Sequence, residues 1–302
     1  MSLLPSTSEV PLPKVGLGLR HPHFADALTS VAPIDFVEVH SENFFAEGGA
    51  TIAVLDEILE KYPVSLHSTA LGLGSAQSIP DAHLAKLKAL AAKVKPILMS
   101  DHASFSWSQL NGQSVHVGDL LPLSFDKQSL IVLAHNVDRV QQYLGRSLLI
   151  ENLSAYVQLD DNSMTETEFL VELTELTGCK LLVDLNNIIV TAYNQNELNI
   201  QAFAQAWLND IPVDKVGEFH LAGYSAVDQG QLIVDDHSQE VSRECWELYR
   251  YALKRFGPIP TLIERDNNLP SWGTLLEEVK VARNIAEQVL SNTESNNRLC
   301  YA

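Results

Sequence analysis

The chain has 302 residues with 20 Lys+Arg against 38 Asp+Glu, a formal charge of −18, and 46% hydrophobic against 19% charged residues. That balance describes a folded chain able to bury a sizeable core. It also disfavours nucleic acid or an anionic membrane as partner, because both are bound through basic patches. No window reaches the roughly 20 apolar residues of a membrane helix, and the opening MSLLPSTSEVPLPK lacks the basic and apolar regions of a secretory signal. Cys179, Cys245 and Cys300 form no C-x-x-C, which argues against a disulfide framework or a thiolate metal site and makes a cytoplasmic location the expectation.

In chain order, residues 1–13 read as an N-terminal extension. Short β-rich apolar runs then fall at Val15–Leu19, Ile34–Val39, Val64–Leu66, Ile97–Met99, Leu148–Ile150, Leu181–Val183, Val216–Phe219 and Thr261–Ile263. Between and after them lie segments with helical periodicity: Ile52–Leu59, His83–Val94, Ser129–Tyr143, Glu166–Leu176, Ile200–Leu208, Glu240–Phe256 and Leu275–Leu290. In His83–Val94, for example, Leu84, Leu87, Ala91 and Val94 share one stripe. Ser129 and the stretch Asp161–Glu166 offer helix-capping residues. Eight strand-like runs alternating with helices predict a (β/α)8 TIM barrel of the α/β class as a single domain over 14–290, because parallel neighbours need crossover connections. An open doubly wound sheet is the competitor; its phosphate loop has no match beyond the fragment Leu71-Gly-Leu-Gly-Ser75, which is not a G-x-G-x-x-G. The stretch from His102 to Asp126 is too long for a simple connection and reads as a lid loop. Residues 291–302 read as a polar, frayed tail.

The polar residues at the ends of the apolar runs carry the chemistry. They are Glu38 with His40, His67, Asp101-His102, Glu151-Asn152, Asp184 with Asn186-Asn187, His220, and Glu264, while the first run ends in Gly18-Leu19-Arg20. One such residue is ordinarily a hydrogen-bonded or surface group. In a β/α barrel, however, strand C-terminal ends converge on one mouth, and carboxylates gathered there repel one another unless a cation lies between them. Asp235-Asp236-His237 follows the run that ends near His220, so a loop can return an Asp and a His to the same place. Imidazole and carboxylate without thiolate suit iron, manganese, zinc or cobalt. The four histidines His67, His102, His220 and His237, the four carboxylates Glu151, Asp184, Asp235 and Glu264, and an amide such as Asn187 are too many for one ion and imply two or three. There is no G-x-S-x-G, H-E-x-x-H or Walker A motif.

The motif series Val15-Gly-Leu-Gly-Leu-Arg20, Val37-Glu-Val-His-Ser-Glu-Asn43, Ser100-Asp-His102, Ile150-Glu-Asn152, Asp184-Leu-Asn-Asn187, Phe219-His-Leu-Ala-Gly223, Asp235-Asp-His237 and Glu264-Arg-Asp266, with His67, resembles the multinuclear non-heme iron-dependent oxidase family. That family is represented by the catalytic subunit of methanobactin biosynthesis. The resemblance implies a xylose-isomerase-like TIM barrel holding two or three irons of mixed Fe(II)/Fe(III) valence. It also implies O2-dependent modification of cysteine residues in a ribosomally synthesised precursor peptide, with a separate partner protein helping to present the leader. By motif, the implied ligands are His67, His102, Glu151, Asp184, Asn187, His220, Asp235, His237 and Glu264, with Asn186 competing for the amide position. Asp101, Glu38 and Arg20 are implied to act beside the metals, and Glu42 and Asn43 to support ligands or face substrate. The rival reading is a zinc- or manganese-dependent hydrolase or isomerase of the xylose-isomerase or endonuclease IV type.

Overall fold

The computed structural model describes residues 11–157, 159–225 and 231–299. Its strands are β1 (Val15–Gly18), β2 (Phe36–His40), β3 (Val64–His67), β4 (Met99–His102), β5 (Phe105–Leu110), β6 (Gln113–Leu121), β7 (Leu149–Glu151), β8 (Lys180–Asp184), β9 (Val216–Leu221) and β10 (Thr261–Ile263). Eight of them close a parallel barrel in the order β1-β2-β3-β4-β7-β8-β9-β10, with β10 pairing back onto β1. The helices are α1 (Phe24–Thr29), α2 (Ala50–Leu59), α3 (Asp81–Val94), α4 (Lys127–Leu144), α5 (Glu166–Thr177), α6 (Leu185–Asn194), α7 (Ile200–Asp210), α8 (Arg243–Phe256) and α9 (Trp272–Leu299). Among the described residues no helix is long and apolar enough to cross a membrane.

The barrel strands are buried on both faces, one against the helices and one inside the barrel, and this is why they read as near-continuous apolar runs. Gly16 is required by packing: a Cβ there would stand 2.5 Å from the ring of Phe36, which fills the bottom of the barrel beside β1. The strands extend past the apolar runs to take in the polar residues that follow. β2 ends on His40, β3 on His67, β4 on His102, β7 on Glu151 and β8 on Asp184. These residues are direct neighbours across the sheet, with His40 opposite His67, His102 opposite Glu151 and Asp184 opposite His220. Adjacent strands lie roughly 4.8 Å apart, so the sheet register alone brings the polar side chains together.

Three expectations are corrected. The segment from His102 to Asp126 is a two-stranded antiparallel ribbon, β5 and β6, turning at Asn111 (φ +52°) and Gly112 (φ +77°); two consecutive left-handed residues match the twist of a hairpin. Helix α4 is capped by Asp126, whose carboxylate accepts from the Gln128 and Ser129 amides, rather than by Ser129. The last helix continues to Leu299, so the described part of the 291–302 tail is helical. The cap expected in 161–166 is Thr165, in a reciprocal box with Glu168. Helix α6 has no counterpart in the sequence reading: every residue from Leu185 to Ala192 is buried, and its polar residues Asn187, Thr191 and Asn194 bond to neighbouring loops, so it lacks the charged, solvent-facing side of a surface helix.

Candidate metal centre

The strand ends surround a cavity of about 190 Å³ at the C-terminal mouth of the barrel. Among the described residues five groups of potential ligand atoms gather here; three consist wholly of residues expected as ligands, while His40, Glu264 and Asp266 form a fourth and Glu38, Glu218 and His220 a fifth. In the first, His67 Nε2 and His102 Nε2 are 3.3 Å apart and lie 3.5 Å and 3.3 Å from Glu151 Oε2. The second joins the other side of Glu151 to Asp184 and His220, with Glu151 Oε1 4.0 Å from His220 Nδ1. The third joins Asp184, His237 and Glu264: His237 Nε2 is 3.7 Å from Asp184 Oδ2, and its Nδ1 is 3.3 Å from Glu264 Oε2. Asp235 Oδ1 approaches His237 Nε2 to 2.7 Å. Glu151 and Asp184 each belong to two groups, so the centre is continuous.

Local structure determines which atoms face the cavity. Asp184 is both the last residue of β8 and the N-cap of α6. Its Oδ1 accepts from the Asn187 amide at 2.7 Å, which leaves Oδ2 buried without a hydrogen-bond partner. Asn187 donates its side-chain N–H to the Asn152 carbonyl, so its Oδ1 also stands unpartnered. Glu151 Oε2 is likewise buried and unpartnered. Orphaned buried acceptors cost roughly 1–3 kcal/mol each, and their convergence with imidazole nitrogens is the donor set that a hard or borderline divalent cation satisfies. His237 and Asp235 arrive on the β9–α8 loop, which is pinned by a bridge between Gly223 and Gln239. A Cβ at Gly223 would collide with the Glu240 carbonyl, so the close approach needs glycine. His237 itself has φ +41°, in the left-handed region, a conformation that costs of order 1–3 kcal/mol and is held by its surroundings.

Burial and close packing of like and unlike charges perturb the titration of these groups. Burial pushes Glu151 up to about 8 and Asp184 up to about 7. Burial also opposes charge on His102, yet Glu151 and Asp101 outweigh it and hold the imidazolium up to about 9. Glu264 resists burial and stays well below the usual carboxylate range because His220 and His237 flank it. His67 is driven well down, by burial and then by the charge on His102. Protons on some of the imidazoles thus do what bound cations would do.

All nine residues expected as ligands meet at this mouth. His67, His102, Glu151, Asn187, Asp235, His237 and Glu264 line the cavity, while Asp184 and His220 complete its buried wall. Asn186 does not line it and instead donates to Asp235 Oδ1 at 3.1 Å. The three residues expected to act beside the metals sit behind the ligands. Arg20 Nη2 is 3.0 Å from Glu264 Oε1 and 2.7 Å from Asp266 Oδ1. Glu38 accepts from Ser65 and lies 3.7 Å below His220 Nε2. Asp101 accepts the backbone N–H groups of Leu71 and His102. Glu42 and Asn43 lie outside the cavity wall, with Glu42 accepting from the Thr69 amide. His40, named among the strand-end residues, and Asp266, in the Glu264-Arg-Asp266 motif, were given no role, yet both line the cavity; the residue reading missed Glu218, whose two carboxylate oxygens are buried and unpartnered. Glu218 is two residues before His220 on β9 and so shares its inward face, a signal that strand alternation carries.

Comparison with known proteins agrees with this geometry. Residues 14–287 match the model of the RiPP precursor modification enzyme MbnB/TglH/ChrH, RiPP meaning a ribosomally synthesised and post-translationally modified peptide. The chain belongs to this family. A UPF0276 protein of Chromobacterium violaceum is 44% identical over 270 residues, covering 89% of this chain and 94% of the relative. Another from Vibrio parahaemolyticus is 40% identical over 279 residues, covering 92% and 94%. Among solved structures, endonuclease IV from Thermus thermophilus superposes with a TM-score of 0.60 at 14% identity, covering 91% of this chain and 100% of that one. A xylose isomerase domain protein from Alicyclobacillus acidocaldarius gives 0.59 at 14% identity, covering 94% and 100%. At such identities the likeness is one of fold, a xylose-isomerase-like TIM barrel. The family match is what makes this chain one of a group of peptide-modifying enzymes.

Proposed function

We propose that this enzyme is an O2-dependent multinuclear iron oxidase that modifies cysteine residues of a ribosomally synthesised precursor peptide. The observation that carries the proposal is the thiolate-free cluster of imidazole and carboxylate donors, with orphaned oxygens on Glu151, Asp184 and Asn187, at the mouth of a barrel from a peptide-modifying family. His67, His102 and Glu151 would hold one ion, Glu151, Asp184 and His220 a second, and Asp184, His237 and Glu264 a third, with Asp235 and Asn187 as further ligands at the same mouth. Two or three irons of mixed valence would supply one-electron redox steps and a place for O2 and a thiolate to meet.

The chain's own residues set the conditions for that chemistry. Cys179 and Cys245 are buried, and burial holds Cys179 up at about 11 and Cys245 higher still, so neither offers a competing thiolate. Arg20 fixes the free oxygen of Glu264 and orients Asp266. Asp101 pins the backbone at His102, and Glu38 sits against the far nitrogen of His220; in this proposal all three are positioning residues. His40, Asp266 and Asn267 on the cavity wall face the entering peptide. Burial, and then the charge on Arg20, lower His40, which favours its neutral form. A partner protein that presents the leader, and a cytoplasmic setting that keeps substrate cysteines reduced, belong to the same proposal.

The test is metal analysis of protein purified without oxygen, followed by O2 uptake and mass spectrometry with a co-expressed Cys-containing precursor peptide. Iron in excess of one per chain, with O2 consumed in step with the peptide mass change, is the expected result. Iron-free protein that is fully active with zinc or manganese and indifferent to O2 would overturn it in favour of a hydrolase or isomerase.

A further inference from the structure

A second cavity, of about 480 Å³, lies beside the metal centre between the β7–α5 loop, the start of α5 and helix α7. Leu153 forms part of the wall of both cavities, so a chain seated at the metals reaches the second one with a neighbouring residue. Phe125, Phe203 and Trp207 supply aromatic surface, and among the described residues Glu166 and Asp210 supply the only charged groups on the wall. Trp207 Nε1 donates to Glu166 Oε2 at 2.8 Å, and Thr167 Oγ1 to Asp210 Oδ2 at 3.4 Å. Both are neutral donors, and among the described residues neither carboxylate is in an ion pair. Burial pushes Glu166 up to about 7, against the pull of the Trp207 N–H.

These features discriminate among occupants. A purely apolar side chain would bury the rings but strip water from the partly buried Glu166 carboxyl with nothing to replace it, and would leave the exposed Asp210 beside it without an ionic partner. An acidic one would be repelled. A long basic side chain satisfies both demands: its aliphatic stem packs on Leu153 and the rings, and its cation sits over aromatic faces beside the carboxylates. The excess of negative charge on the whole chain favours the same partner.

We propose that this pocket takes a lysine or arginine side chain of the precursor peptide, next to the residue modified at the metal centre. The proposal rests on the peptide-modifying reading given above. It is tested by titrating N-acetyl-L-argininamide into the full-length protein labelled with ¹⁵N at tryptophan. The indole N–H of Trp207 is followed, with that of Trp272, which packs against His23 on another side of the barrel, as internal control. Argininamide is expected to shift Trp207 saturably and leave Trp272 in place, N-acetyl-L-leucinamide to do so at least about fivefold more weakly, and Glu166→Gln to weaken argininamide by about tenfold. Glu166→Gln keeps an oxygen for Trp207, so the fold survives it. In the peptide oxidation assay the same variant should raise KM with kcat unchanged. Leucinamide binding as well as argininamide, no shift at Trp207, or an unchanged KM would each overturn the proposal. The titration needs no iron and no turnover, so an unmodified peptide with a normal Trp207 shift would count against the oxidase reading and not against the pocket.

Discussion

Replacing Arg20 with glutamine separates the fold from the metal centre. The guanidinium makes three close contacts in a nearly dry position: Nη2 to Glu264 at 3.0 Å, and Nε and Nη2 to Asp266 at 2.8 Å and 2.7 Å. Removing one side of a buried ion pair costs roughly 3–5 kcal/mol, because the other charge is left without a partner. Asp266 is 30% exposed and recovers some hydration, while Glu264 at 4% does not, so the lower end, about 3 kcal/mol, is expected for the metal-free protein. At about 2 °C per kcal/mol for a chain of this size, that is a fall in Tm of about 6 °C. A cation bound at Glu264 would supply the missing positive charge, so saturating Fe(II) or Zn(II) should recover at least half of the loss. Scanning calorimetry of wild type and Arg20→Gln, each with and without metal, measures all four values. An equal loss in both forms, or a loss below about 2 °C, would refute the claim that Arg20 and the metals neutralise the same carboxylate.

Glu151 belongs to two of the ligand groups and His237 to one, so Glu151→Gln should lower bound metal, measured by mass spectrometry of the digested protein, by more than the roughly one equivalent lost in His237→Ala. Equal losses would mean that Glu151 does not bridge. Gly223→Ala forces the β9–α8 loop off the Glu240 carbonyl. Overpacking of this kind costs about 1–3 kcal/mol, so Tm should fall and the Asp235–His237 ion should be lost, while metal at His67, His102 and Glu151 stays. Glu166 has a folded pKa of about 7, above its unfolded value, so the native state holds the proton more tightly. Its contribution to stability is therefore complete below the unfolded pKa and declines as pH rises toward about 7, by no more than about 3 kcal/mol. Urea unfolding of wild type and Glu166→Gln from pH 4.5 to 8 should show curves that diverge across that window; parallel curves would show that the carboxyl is not shifted.

How much of this was legible in the sequence depends on which part of the backbone delivers each residue. The barrel strands announced themselves because both faces are buried, and the ligands His67, His102, Glu151 and Asp184 stand where the apolar runs end, because each is the last residue of its strand. Asp235 and His237 were legible as a motif but not in position, since the bridge at Gly223 and the left-handed His237 belong to tertiary structure. The ribbon from Phe105 to Leu121 did carry local signals, Asn111-Gly112 between the alternating Phe105-Ser-Trp-Ser108 and Val115-His-Val117, but both alternations are short and their strands largely exposed, so the segment reads as a long loop. Glu218 escaped because attention fell on strand ends, whereas inward-facing residues recur every second position.

The roles of Arg20, Glu38 and Asp101 show a further limit of reading a site from residue type. Each is a charged group in a motif at a strand end, and sequence alone cannot distinguish a group that touches substrate from one that holds a ligand in place. The distinction lies in where the remaining hydrogen-bonding capacity goes. Arg20 directs Nε and Nη2 to Asp266 and Glu264, and Asp101 accepts two backbone N–H groups, whereas Asp184 gives one oxygen to the α6 cap and keeps the other unpartnered. A buried carboxylate with an orphaned oxygen beside an imidazole, as on Glu151, Asp184 and also Glu38, is poised for a cation. The −18 charge of the chain thus divides into a solvated surface excess and a buried set that includes Glu38, Glu151, Asp184, Glu218 and Glu264, whose repulsion is relieved by imidazolium protons or by metal. Protons and metal then compete for the same positive role, so the apolar barrel holds the ligands in register whichever of the two is present.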